Sequence, residues 1–375
     1  MRMKYGIKIM TSVGILLATG VVASMAPATP KIPPAKYPDR PIGYLNDYLI
    51  VAPDEFATPA RRLKTYRETF GHRVKIVLLS EIGRAPVTSE QIDAWIERHQ
   101  RSNRNLKYVA LLGDAARLPP WSRRFDRYEV TVKSDLPYGV TGPVTETNHI
   151  PDVMVGRVSL RTAAEFDSYL AKIRLFDQTF KLRRKIVFFG FHPEIDYAIN
   201  RDIGVARSLG YETQLLVYPP DDEFFRAVNN PDVAAVFYYS HGSWYGNVPL
   251  TQANINALKN YQTPFLYFSG GCGFGDGPLD QRSLSEVLLL GASGSAASIG
   301  ASLNGGYGSE YTFVPGALGT LRSSQTLGEL FLAGLRTQRA SALSLDSPAA
   351  EPGPAFSLYF TYRMSLVGDP ALRLR

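Results

Sequence analysis

Cysteine is almost missing: Cys272 is the one cysteine in 375 residues. A stabilising intrachain disulfide is therefore excluded. Histidine is scarce too, with five in the chain. His72, His99, His149 and His192 fall in expected loops or on a polar helix face, without metal-ligand spacing, so no metal and no other cofactor is expected. There is no glycine-rich phosphate loop of the P-loop type. No run of five or more like charges occurs, and no repeat of 20–50 residues marks a solenoid. The net charge of +7 is spread along the chain. It reads as a generic basic balance, and nucleic acid is not an expected partner.

What is present is a globular composition: 45% apolar and 20% charged residues, too apolar for a disordered chain. The length suits two packed units better than one. The first 30 residues stand apart. Arg2, Lys4 and Lys8 precede an apolar run from Ile9 to Ala26, followed by small residues and prolines. This is the layout of a secretory signal peptide. Pro27 next to the cut disfavours cleavage after Ala26, so Ala28 is the expected exit and 1–28 the leader. The alternative is an uncleaved anchor. The run contains Thr11, Ser12 and Gly14 and is marginal for spanning a bilayer, so no stable membrane span is expected once the leader is removed. A secreted or periplasmic location follows.

A Pro-rich linker is expected over 29–46. Beyond it, apolar runs alternate with amphipathic stretches. Strands are predicted at Tyr48–Ala52, Val74–Leu79, Tyr108–Leu112 and Val153–Val158. Helices are predicted over 58–70, from Ser89 to about Gln100, and from a capping box formed by Thr162 and Glu165. Residues 116–150 read as irregular. The second half repeats the alternation, with strands at Ile186–Phe191, Gln214–Tyr218, Val233–Tyr239, Pro264–Phe268 and Ser295–Ala301. Helices are expected before Gly210, over 221–229 and 252–260, after Ser283 with Glu286 as its capping box, and over Leu327–Arg336. Such alternation gives an α/β fold with mostly parallel sheets flanked by helices. The expected division is an N-terminal α/β subdomain over 47–180 and a second subdomain over 181–375.

Two consecutive strands of the second half end in reactive residues. One runs into Ser240-His241-Gly242 and the next into Ser269-Gly-Gly-Cys272. Ligands of open α/β sheets bind outside the carboxyl ends of strands, and neighbouring strands lie about 5 Å apart. The two side chains can thus share a cleft although 31 positions separate them in sequence. Imidazole is a suitable base for making a thiolate near neutral pH. Gly242 and Gly271 allow the backbone to approach a substrate carbonyl closely. The N–H groups of Cys272 and Gly242 are candidates for an oxyanion hole. The plainer alternatives are a loop histidine and a cysteine that merely packs in the core.

The stretch Tyr238-Tyr-Ser-His-Gly-Ser-Trp-Tyr-Gly246 resembles the catalytic-histidine segment of the gingipains, which are caspase-like cysteine peptidases. Ser269-Gly-Gly-Cys-Gly-Phe-Gly-Asp276 is similar to their Cys-x-x-Gly-Asp segment. Tyr108-Val-Ala-Leu-Leu-Gly-Asp114, Ser134-Asp135 with Tyr138, and Asp152-Val-Met-Val-Gly-Arg157 look like landmarks of their N-terminal subdomain. Ser285-Glu286-Val-Leu-Leu, Gly294-Ser-Ala-Ala-Ser-Ile-Gly300 and Gly368-Asp-Pro-Ala-Leu-Arg-Leu374 look like later ones. The resemblance covers about residues 46–375 in the same order. It implies a caspase-like second subdomain and an exported cysteine endopeptidase acting on polypeptides through a Cys272–His241 dyad, or a triad completed by Asp152. Asp152 stands where the better-known members have glutamate. A non-proteolytic binding or envelope-assembly role is the alternative function, and another thiol hydrolase, such as a transpeptidase, is a third. The better-known members cut after Arg or Lys. Asp276, close to Cys272, is the expected acidic base of an S1 pocket, unless it caps the helix that follows. Gly271 and Tyr307, the latter in a glycine-rich segment after a strand end, are the further expected substrate-binding residues. Better-known members also continue into further domains, and surface anchoring through a sorting domain of that kind is not expected here.

Overall fold

A computed structural model describes residues 46–190, 196–274, 281–302, 312–344 and 353–375. The expected leader and linker, His192, Asp276 and Tyr307 lie outside these residues.

The chain opens with β1 (Tyr48–Ala52), α1 (Ala57–Glu68), β2 (Val74–Leu78), the short α2 (Leu79–Ile82), α3 (Ser89–Ser102) and β3 (Tyr108–Leu112). A hairpin of β4 (Trp121–Phe125) and β5 (Val130–Ser134) follows, then β6 (Met154–Val158) and α4 (Glu165–Thr179). Next come β7 (Lys185–Phe189), α5 (Asp196–Ser208), β8 (Glu212–Leu216), α6 (Asp221–Val228) and β9 (Val233–Tyr238). The two-residue strands β10 (Gly246–Asn247) and β11 (Leu250–Thr251) lead to β12 (Phe265–Ser269), α7 (Leu284–Leu290) and β13 (Ser295–Ala301). The chain closes with α8 (Val314–Gly319), α9 (Leu327–Leu343), α10 (Pro354–Arg363) and β14 (Met364–Val367).

Among the described residues, ten strands form one sheet in the order β2-β1-β3-β6-β14-β13-β12-β9-β7-β8. The strands of both halves of the chain therefore share a sheet, and β14 joins them. It pairs parallel with β6 and antiparallel with β13; the other pairings in this sheet are parallel. Both faces are covered, as side-chain alternation in β1 makes plain. Tyr48, Ile50 and Ala52 pack with α1 residues such as Ala60 and Leu63, while Leu49 and Val51 pack with Ile92 and Ile96 of α3. That double burial explains why β1 and β3 are apolar at every position.

The junction of the halves is made by close backbone approach and buried charge. A Cβ on Gly156 would lie 2.4 Å from the Gly368 carbonyl oxygen, so glycine is required where β6 meets the turn after β14. Asp369, next in that turn, is fully buried and accepts from Arg67 Nε at 2.7 Å. Arg67 Nη1 donates to Asp177 at 2.7 Å, and Asp177 also accepts from Tyr66 and from the Arg373 backbone N–H. Burial alone would lower the Arg67 pKa; the two carboxylates outweigh it and hold the guanidinium charged. A second landmark pair, Asp135 and Arg157, is joined at 2.7 and 2.5 Å, and Arg157 also donates to the carbonyls of Gly113 and Leu118.

Four expectations are corrected. Residues 252–260 do not form a helix; they hold the 3-10 turn Ile255–Ala257. The Asn254 side chain accepts the Thr251 N–H at 2.9 Å and Asn229 accepts the Lys259 N–H at 2.7 Å, so side-chain amides take the place of helical bonds. The stretch 116–150 contains the β4–β5 hairpin, whose alternation is masked by Arg123 and Arg124 on the strand. Glu165 does accept the Thr162 N–H, but the helix begins at Glu165, so Thr162 precedes it instead of capping it. The helix starting at Leu327 runs on to Leu343.

Candidate active site

β9 and β12 are neighbours in the sheet and parallel, with Tyr238 opposite Ser269. The segments that follow them, carrying His241 and Cys272, therefore leave the sheet side by side. The Gly270 N–H donates to the Tyr238 carbonyl at 3.0 Å, extending the ladder one step past the strands. The Tyr238 hydroxyl then donates to the His241 carbonyl, folding that residue back over its own strand.

Beyond this point the two segments touch. A Cβ on Gly271 would sit 2.9 Å from Gly242 Cα, and one on Gly242 would sit 3.0 Å from Gly271 Cα. Neither position has room for a side chain, so glycine beside His241 and glycine beside Cys272 are what permit the contact. Gly273 has φ +70°, a left-handed conformation, and a Cβ there would lie 3.0 Å from the Trp244 nitrogen. Cys272 is thus held between two glycines that both abut the His241 loop. Cys272 is half-buried and His241 is exposed, so both are open to a reagent from outside.

Beneath the contact lies a polar layer that sequence reasoning did not single out. Asn247 is buried; its Nδ2 donates to Tyr267 Oη at 2.8 Å and to Ser269 Oγ at 2.6 Å. Ser269 Oγ also accepts the Gly271 N–H at 3.2 Å. Burial pushes the Tyr267 phenol well above its usual pKa, so it stays neutral and can accept from Asn247. In the sequence, Tyr-Gly-Asn-Val-Pro reads as an ordinary turn, and nothing there sets Asn247 apart. On the outer side, the Leu284 N–H at the start of α7 donates to the Trp244 carbonyl at 2.7 Å, and Ser283 and Glu286 form the expected capping box.

The register also places Asp152. Ala301 at the end of β13 faces Met364 at the start of β14, and β14 runs parallel to β6. The start of β6 therefore lies at the same edge of the sheet as the ends of β12 and β9. Asp152 is at that edge and exposed. Four strand-to-strand steps separate β6 from β9, about 19 Å at normal spacing. The Asp152 carboxylate accepts the Thr141 N–H at 3.0 Å. Among the described residues, no group of three or more His, Cys, Asp or Glu is arranged to hold a metal ion, and no helix is long and apolar enough to cross a membrane.

Residues 44–375 match the profile of peptidase family C25. The chain belongs to that family. It is a cysteine-type peptidase, a hydrolase whose substrates are polypeptides. No curated protein matches the chain. Solved structures do. The Arg-specific cysteine proteinase gingipain R aligns with a TM-score of 0.70 at 16% identity, covering 90% of this chain and 80% of that one. A complex of Porphyromonas gingivalis RgpB pro- and mature domains aligns with a TM-score of 0.69 at 17% identity, covering 88% and 79%. A structure described as a protease gives 0.71 at 17% identity, covering 87% and 78%. At these identities the likeness is one of fold, and the gingipain fold expected from the sequence landmarks is the fold of this C25 peptidase.

Proposed function

We propose that this C25 peptidase is an exported cysteine endopeptidase working through a Cys272–His241 dyad. The observation that carries the reading is the mutual contact of Gly242 and Gly271, which sets the loops of the two reactive residues against each other. In the proposed reaction His241 takes the proton of Cys272, and the sulfur attacks the scissile carbonyl carbon. The N–H groups of Cys272 and Gly242 receive the developing oxyanion. Collapse breaks the C–N bond, His241 returns the proton to the leaving amine, and a thioester remains. Water, deprotonated by His241, then hydrolyses the thioester to the free carboxylate and thiol.

Gly271 is proposed to line the substrate cleft, with Tyr307 and with Asp276 at the base of S1. The triad form of the reading adds Asp152 as an acceptor for the His241 imidazole, through the oxygen not used by the Thr141 N–H. Asp152→Asn separates the two forms. Under the dyad, turnover changes by no more than a few-fold; a loss of about ten-thousand-fold, as when an orienting aspartate is lost from a triad, establishes Asp152 as the third member. Export rests on the leader-like first 28 residues. Protein recovered from outside the cytoplasm should have an intact mass beginning near Thr29.

The central test is a peptide-library digest with Cys272→Ala beside the parent protein. The variant should give no cleavage while melting normally, because it loses the nucleophile and little volume. Comparable turnover in Cys272→Ala removes this cysteine from the chemistry. A companion measurement is alkylation of Cys272 at neutral pH, which should slow in His241→Ala as the thiolate loses its partner.

A further inference from the structure

Contact between two glycines is not self-enforcing. Two Cα atoms meet without side chains to interlock, and glycine is the residue with the most backbone freedom to lose. Something must fix how the His241 loop sits on the Cys272 loop. Asn247 is 1% exposed and belongs to the His241 loop through β10. Its Oδ1 occupies the place where either glycine would put a side chain, 2.3 Å from a Cβ built on Gly242 and 3.0 Å from one built on Gly271. Its Nδ2 reaches across to Tyr267 and Ser269, both on β12, the strand that delivers Cys272. Ser269 hands the connection on to the Gly271 N–H, one residue before the nucleophile. One buried amide therefore touches the residue after His241 and the residue before Cys272, and is itself anchored to the strand below.

We infer that Asn247 is a positioning residue for the Cys272–His241 pair: its amide sets the distance and angle between the two loops, and with them the two backbone N–H groups proposed to bind the oxyanion. The inference rests on the dyad reading above. The amide's two ends have separate tasks. Nδ2 pins the His241 loop to β12, and Oδ1 acts as a spacer against which both glycines rest. Because both hydroxyl partners are buried and accept from the same NH2 group, loss of the amide leaves two buried hydroxyls without their donor.

Steady-state kinetics, melting curves and the pH profile of Cys272 alkylation by iodoacetamide test this. In Asn247→Ala, kcat should fall by about a hundred-fold, the scale of a misplacement near 1 Å, with KM changing by less than about threefold. The alkylation profile should move to higher pH as the thiol loses its well-placed imidazole. Ser269→Ala should shift kcat and the profile in the same direction, by less, and serves if Asn247→Ala does not fold. Gly242→Ala supplies a second arm. Its new methyl would lie 2.3 Å from Oδ1 in the parent protein, a clash that Asn247→Ala removes while the 3.0 Å approach to Gly271 Cα stays, so the double variant should lose less activity than the product of the single losses. A parental alkylation profile and kcat in Asn247→Ala, or in Ser269→Ala where the first does not fold, overturns the inference; so do strictly multiplicative losses in the double variant. If Cys272→Ala still cleaves peptides, the dyad reading itself fails. If Cys272→Ala is inert while the Asn247 and Ser269 variants keep parental profiles, only the positioning role is lost.

Discussion

The junction around Arg67 and the candidate site around Cys272 are both polar, and they are built in opposite ways. At the junction, Arg67, Asp177 and Asp369 have side chains with 0% or 7% residue exposure and hold one another at 2.7 Å. Every carboxylate there has at least two partners. At the candidate site, Cys272 and His241 stand on glycine-containing loops at the sheet edge, the first half-buried and the second exposed. Buried charge that is paired joins elements and tolerates no loss of a partner. Loops at strand ends keep side chains accessible and contribute less to stability. In this fold the residues whose loss unfolds the protein and those whose loss silences it should therefore be nearly disjoint sets.

The largest expected effect that breaks this separation, or fails to, is a crossed pair. Cys272→Ala should abolish cleavage at parental stability, whereas Arg67→Ala should lose about 3–5 kcal/mol in urea unfolding because it strands Asp177 and Asp369 without a cation. If Arg67→Ala melts like the parent, the junction is not the store of stability argued above. A second effect sharpens the chemistry of the cleft. With Asp276 at the base of S1, Asp276→Asn should reduce the Arg-over-Leu preference at P1 by several hundred-fold, or about 3–5 kcal/mol, and spare iodoacetamide labelling. With Asp276 as a helix cap, the preference stays and stability drops by about 1 kcal/mol or less.

The smallest effect concerns pH. His149 is fully buried, with Nδ1 3.1 Å from the Thr145 carbonyl and Nε2 2.9 Å from Ser357 Oγ. Burial lowers its pKa in the folded protein. The unfolded chain therefore binds more protons in the acid range, and stability should fall as pH drops below about 6.5, the unperturbed value. His99 is lowered as well, first by burial and then by Lys75. His149→Gln should accordingly flatten part of the acid slope of the unfolding free energy between pH 5 and 6.5. An unchanged slope would leave His99 and the carboxylates to account for it.

The sequence was most legible where one physical rule acts alone. β3 and β13 run from the first to the last residue expected for them, because a strand buried on both faces is an uninterrupted apolar or small-residue run bounded by glycine or polar residues. That the segments carrying His241 and Cys272 leave the sheet side by side was legible for the same reason: both follow such strands. The landmark Gly368-Asp-Pro was visible as a motif, but its work was not. That Asp369 meets Arg67 depends on a contact 302 residues apart, which no local pattern encodes. Asn247 was hidden because its partners, Tyr267 and Ser269, lie on a different strand and look like ordinary strand residues. The stretch after β11 misled because asparagine side chains can close backbone bonds that helical periodicity assigns to the helix itself.

The position of β14 has a consequence for time as well as for shape. The last described strand lies in the middle of the sheet, between β6 and β13. A polypeptide that emerges from its N-terminus can complete β1, β2, β3 and β6, and later β7 to β9 with β12 and β13, yet the inner edges of β6 and β13 stay open until residues 364–367 arrive. Those edges are exposed templates for mispairing for as long as they wait. When β14 enters, it seals both at once and brings Asp369 to Arg67. The half of the sheet that carries the His241 and Cys272 segments thus gains its neighbour on the β13 side only after residues 364–367 are delivered.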